Sequence, residues 1–151
     1  MASMDIYNDI SFEQLFQLDF AGLCTEALNE AAPILEANMK KTARASILHE
    51  GESEMVNSIK ASKPKKSKNG AYIVNVGPRG YSSVKIYRAK NSKGVRTGRK
   101  YSVSNALKAI WKEYGIPGRQ APRPFMTAAT NQSESQVLEI IQRKFDQKVD
   151  V

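Results

Sequence analysis

The sequence predicts an α+β domain in which a long, proline-kinked N-terminal helix and a C-terminal helix pack on a small antiparallel β-sheet. Three observations carry that expectation. Apolar residues recur at three- and four-residue steps through 22–48, as on one face of a helix. Tyr72-Ile-Val-Asn-Val-Gly77 is β-branched and closed by Gly77-Pro78, which reads as a strand. Val137, Ile140, Ile141 and Phe145 form a second helical stripe near the end of the chain. The 151 residues suit one domain, expected over 21–151, with 1–20 as an N-terminal extension.

In the extension, Phe12, Leu15, Phe16, Leu18 and Phe20 stand among acidic residues, and Ser11 with Gln14 reads as a capping box opening a short helix. So much apolar surface is costly to leave in water, so the segment either covers its own core or docks on a neighbouring subunit. The first long helix carries Cys24, Ala27, Leu28, Ala31, Leu35, Met39, Ala43 and Ile47 on its apolar face. Glu26, Glu30 and Glu36 come early and Lys40, Lys41 and Arg44 late, an order that complements the helix dipole. Pro33 kinks that helix or splits it near Ala32. His49 falls at its end, a place for capping, and Gly51 stops it. Met55, Val56 and Ile59 supply apolar contacts on the way to the sheet.

Lys63, Lys65, Lys66 and Lys68 make a first basic loop that ends in an Asn69-Gly70 turn signal. The Tyr72–Gly77 strand is expected to pair with Tyr81–Ala89 in a hairpin through Pro78-Arg79-Gly80. Lys90–Lys100 is a second basic loop, with Lys93, Arg96, Arg99 and Lys100. It lacks the Gly-Lys-Ser/Thr ending of a phosphate loop. Ser102 or Ser104 caps a helix that runs to Tyr114-Gly115. A stiff strap follows, where Pro117, Pro122 and Pro124 fix the backbone and Phe125 needs an apolar slot. Asn131 or Ser133 is expected to cap the last helix.

Charge divides the chain. Residues 1–59 hold ten acidic and three basic side chains, residues 60–123 one acidic and seventeen basic, and 124–151 four acidic and three basic. The middle stretch, at +16, supplies all of the net +8 and is either a solvated surface or a patch for an anionic partner. One Cys and one His exclude an internal disulfide and a Cys/His metal site. The basic stretch contains a single carboxylate, Glu113, so paired-carboxylate chemistry has no place within it. No nucleophile–base–stabiliser set is evident, and the expectation is a non-enzyme without cofactors. No apolar run approaches the roughly 18 residues of a membrane span. Asp5 and Asp9 do not fit a secretory leader, so folding is expected in a reducing cytoplasm.

The order of these segments resembles the small neck or tail-completion proteins of long-tailed bacteriophages, a head–tail joining family, and distantly lambda's minor tail protein Z. The resemblance rests on the helix at 22–48, Met55-Val-Asn-Ser-Ile59, the strands at 72–89, Glu113-Tyr-Gly115, Pro122-Arg-Pro-Phe125 with Ala128-Ala129, and the final helix at 133–147. The chain departs from the pattern at Glu52-Ser53, where Thr-Gly is usual, and at Ile116, where Thr is frequent. The resemblance implies a structural virion protein of the head–tail junction, made in the host bacterial cytoplasm. It would assemble as a homo-oligomeric ring, a hexamer in the family, against neighbouring neck, head-closure or tail-terminator proteins, with DNA passing through.

Under that reading the basic loops, Lys63 to Lys68 and Lys93 to Lys100, face channel DNA or an acidic ring, and the acidic first helix meets the next subunit's loops. Trp111, Glu113, Tyr114, Gly115, Arg123, Pro124 and Phe125 form a structural clasp, with Tyr114 packed on Phe125 and Glu113 holding Arg119 or Arg123. The alternative is a nucleic-acid-binding module that uses the +16 stretch, with Tyr72, Tyr81, Tyr87 and Tyr101 as stacking platforms.

Overall fold

A computed structural model describes residues 18–48, 52–82, 85–86, 93–94, 98 and 100–149. The Ser11–Gln14 capping box, His49, Gly51, Arg96 and Arg99 lie outside the described residues.

Helix α1 (Phe20–Ala45) begins where the Asp19 carboxylate accepts the Gly22 amide at 3.0 Å, satisfying one of the free donors of the first turn. Leu23, Ala27, Ala31, Met39 and Ala43 form its buried face. The helix runs through Pro33 as one element and is not split at Ala32. Pro33 and Asn29 are both exposed, so water can serve the carbonyl that the proline leaves without a helical donor. A short α2 (Ser53–Asn57) follows and buries Met55 and Val56.

The antiparallel sheet is three separate two-stranded ladders rather than one hairpin. Strand β1 (Ile59–Ala61) pairs with β4 (Val76–Pro78), and β2 (Lys65–Lys66) pairs with β3 (Tyr72–Ile73). Strand β5 (Lys85–Ile86) pairs with β6 (Lys100–Tyr101). The expected strand at 72–77 is therefore divided between two partners. Asn69-Gly70 turns the chain, with Gly70 at φ +83°, and folds β3 back on β2. Buried Ile59 draws β4 onto β1 instead, and just beyond Pro78 the Arg79 amide still donates to the Ser58 carbonyl at 3.2 Å. Tyr81 then bridges to Ser104, not to the 72–77 segment.

Helix α3 (Asn105–Tyr114) starts as expected, with Ser104 Oγ accepting the Leu107 amide at 3.1 Å. The last helix, α4 (Phe125–Val149), begins at Phe125 rather than near Ser133. Ser133 is buried within it, donating to the Ala129 carbonyl and accepting from Asn38 Nδ2, both at 2.8 Å. A residue that reads as a cap in the sequence is thus a cross-link between the two long helices, which share the most extensive interface in the fold. The core gathers around the C-terminal part of α1, where Met39 and Ala43 meet Met55, Val56, Ile59, Ala109, Phe125 and Ala129.

Glu36 pins α1 to the sheet, accepting the Ala61 amide at 2.9 Å and Lys40 Nζ at 2.7 Å. The Lys40 hydrogen bond, then the Ala61 amide, hold its carboxyl below the usual carboxylate range. A depressed folded-state value stabilises the fold above the unfolded-state value, and that stabilisation is lost as pH falls through the folded one. Glu36→Gln is therefore expected to narrow the gap between melting temperatures at neutral and acid pH. An unchanged gap in circular-dichroism melts would show that Glu36 contributes nothing to acid sensitivity.

Candidate basic interface

The residues singled out in the sequence separate into a surface group and a buried group. In the surface group, Lys63, Lys65, Lys66 and Lys68 lie exposed on and around the β2–β3 arm, two of them in the strand itself rather than in a loop. Lys65 opposes Ile73 and Lys66 opposes Tyr72, so successive lysines project from opposite faces of the arm. Lys66 Nζ stands 5.9 Å from the centre of the Tyr72 ring, within cation–π range. Tyr72 in turn meets Phe20 edge-on at 6.4 Å, which seats the arm on the start of α1. Lys60 and Arg79 are exposed on and beside the β1–β4 ladder, and Lys100 is exposed on the β5–β6 ladder. Lys93 is exposed too, whereas Arg96 and Arg99 lie outside the described residues.

The ion pairs explain why this charge remains available. Glu30 is held by Arg143 and by Lys144, the latter at 2.8 Å, and Glu26 lies 4.0 Å from Lys148. The Lys144 hydrogen bond keeps the Glu30 carboxyl below its ordinary value. Glu36 pairs with Lys40, and Glu52 with Lys112. Among the described residues, Glu26 and Glu30 are thus matched by α4, Glu36 by its own helix and Glu52 by α3, rather than by the basic loops. No described carboxylate lies within 4.0 Å of Lys60, Lys63, Lys65, Lys66, Lys68, Arg79 or Lys100. Exposed like charges without a described counter-charge favour an anionic partner.

The clasp residues form the buried group, with different partners from those expected. Glu113 is 5% exposed and pairs with neither Arg119 nor Arg123. Its carboxylate instead accepts the Met126 amide at 2.9 Å, the Thr127 amide at 3.1 Å and the Thr127 hydroxyl. It is the N-terminal cap of α4, supplied by another helix, and it lies where the helix dipole favours a negative charge. That is why no Ser, Thr, Asp or Asn is needed at residue 124. Glu113→Ala, which leaves two partly buried amides of the first turn without their acceptor, is expected to cost about 2 kcal/mol. A urea midpoint unchanged by the substitution would contradict that capping role.

Gly115, at φ +77°, turns the chain after α3, and a Cβ there would come within 2.7 Å of the Gln120 carbonyl oxygen. Across the turn the Arg123 amide donates to the Lys112 carbonyl at 2.7 Å, closing the strap against α3. Pro124 delivers Phe125 into the core, where it is 2% exposed. Tyr114 does not join it: its side chain is 74% exposed, on the opposite side of the helix from the core. Trp111 lies at the surface as well. The sequence reading missed Lys112, which is 2% exposed and joined to Glu52. Its only signal was position, one turn after Lys108 on the face that also carries Ala109.

Among the described residues no helix is long and apolar enough to cross a membrane, and no group of three His, Cys, Asp or Glu side chains could hold a metal ion. In comparisons with known proteins, no family model, curated protein or solved structure matches this chain.

Proposed function

We propose that this chain is a non-catalytic structural protein of a tailed-bacteriophage particle, one subunit of a ring at the head–tail junction through which DNA passes. The carrying observation is the set of exposed cations on the β2–β3 arm and on the other two ladders, Lys60, Lys63, Lys65, Lys66, Lys68, Arg79 and Lys100, which have no described carboxylate within ion-pair distance. In a channel-lining ring such a surface meets the phosphate backbone or an acidic neighbouring ring without needing sequence recognition. The long first helix, the helix ending in Glu113-Tyr-Gly115 and the strap into Phe125 give this order of elements a mechanical reading. They tie the four helices into one core beside the ladders that carry the exposed cations. The test is the protein content of purified particles together with the oligomeric state of the chain with and without its neck partners. Presence in the particle as a ring supports the reading, and a monomer absent from particles ends it.

A second reading, a nucleic-acid-binding module, draws on Tyr81 and Tyr101, which are 73% and 40% exposed and stand close in sequence to Arg79 and Lys100. It predicts tight binding to single-stranded DNA, with a logarithmic salt slope that loses about 0.7 for each phosphate-contacting lysine removed from the Lys65, Lys66 and Lys68 set. Weak binding indifferent to these lysines would leave only the particle role.

A further inference from the structure

Helix α3 is packed with the reverse of the usual polarity. Its buried side chains are Asn105, Ala109, Lys112 and Glu113. Its outer face carries Leu107, Ile110, Trp111 and Tyr114, which are 40%, 48%, 38% and 74% exposed. Positions i, i+3, i+4 and i+7 fall on one line along a helix, so these four form a continuous apolar stripe about 10 Å long. An amphipathic helix ordinarily turns such a stripe inward. Here the inward places are taken by the Glu113 cap on α4 and by the Lys112–Glu52 pair. No carboxylate is exposed on α3; Lys108 borders the stripe, and Arg119 follows in the exposed turn beyond it.

We propose that this stripe is the docking site for the N-terminal segment of a second copy of the chain. The segment has the complementary chemistry: Phe12, Leu15 and Phe16 are apolar, Asp5, Asp9 and Glu13 are acidic, and no Lys or Arg occurs before Lys40. Reach separates the same chain from another for the apolar residues of the segment. Ala43 and Ala109 belong to one core cluster, so α3 lies toward the C-terminal end of α1. From Phe20 to Ala43 that helix rises about 35 Å. Phe12 is six residues from Leu18 and, fully extended, reaches about 20 Å at most. Phe12, Leu15 and Phe16 therefore fall short of their own α3 but can lie on a neighbour's. Because segment and stripe are different surfaces, the contact is head-to-tail, and repeated around a closing rotation it makes a ring.

This contact deepens the ring reading, and it can be tested apart from it. Full-length Ile110→Glu removes the stripe and full-length Phe16→Glu the segment, and each is examined by analytical ultracentrifugation alone and in equimolar mixture. The wild-type chain is expected to associate as concentration rises, and each variant to associate about thirtyfold more weakly or worse. The mixture should recover a one-to-one dimer, since one intact segment and one intact stripe remain. Tyr114→Ser, at the most exposed position of the stripe, replaces Ile110→Glu if that variant does not fold. A monomeric wild type, a mixture that stays monomeric, or variants that associate as wild type would each overturn the contact. So would a Phe16→Glu chain that loses thermal stability but keeps its association, because the segment then packs on its own body. Absence from purified particles would remove the particle role and leave the contact standing.

Discussion

Phe125→Ala is expected to remove about 3–5 kcal/mol of stability, a large part of the roughly 5–15 kcal/mol that holds a small domain folded. Phe125 is 2% exposed, and among the described residues it is the one aromatic side chain in the core cluster. Its neighbours there include Ala43, Ala109 and Ala129, short side chains on three different helices that cannot extend into the space left behind. The backbone is constrained as well, since the Phe125 carbonyl accepts the Thr42 hydroxyl at 2.8 Å and ties the start of α4 to α1. The cavity therefore persists, and its cost adds to the lost transfer energy. Urea unfolding followed by circular dichroism gives the measurement. A preserved midpoint accompanied by loss of assembly alone would mean that the strap serves as an interface rather than a clasp.

Glu52→Ala is expected to cost about 3 kcal/mol, and Lys112→Met about 1 kcal/mol or less. The asymmetry follows from where each charge lies. The Lys112 side chain is 2% exposed, whereas that of Glu52 is 22% exposed. Removing the glutamate leaves a buried ammonium without its counter-ion and also releases the Leu48 amide, which Glu52 accepts at 3.0 Å. Removing the lysine charge with a methionine of similar volume leaves a carboxylate that water can still reach. Unfolding curves for the two variants should therefore separate clearly. Equal losses would show that the pair acts through its geometry and not through the burial of the lysine.

The parts of the fold that were legible in the sequence are those whose determinants are neighbours in the chain. Apolar spacing located α1, a cap at Ser102 or Ser104 and the stop at Gly115 bounded α3, and Asn69-Gly70 marked a turn. The clear strand at 72–77 was misassigned because β-branching reports a preference for extended backbone but not the partner. Tyr72–Ile73 and Val76–Pro78 went to different ladders. The start of α4 was misplaced because the rule sought a local cap, and Glu113 acts from a residue twelve positions earlier on another helix. The candidate surface was half legible. Lysine clustering was plain in composition, but whether those lysines were neutralised depended on which helix the acids of α1 faced.

Propensity, periodicity and charge, all properties of short stretches, suffice for an α+β chain with two long helices, short strands, a basic middle and a buried Phe125. Partnership between distant stretches is a different kind of information. Which strand pairs with which, that α4 neutralises α1, and that α3 turns Lys112 and Glu113 inward follow from burial energies summed over the whole molecule. Buried Lys112 and Glu113 find Glu52 and the α4 amides there, and the apolar stripe of Leu107, Ile110, Trp111 and Tyr114 is left outside. A sequence pattern identifies an amphipathic helix, but the direction in which its apolar face points depends on what the rest of the fold requires of the opposite one.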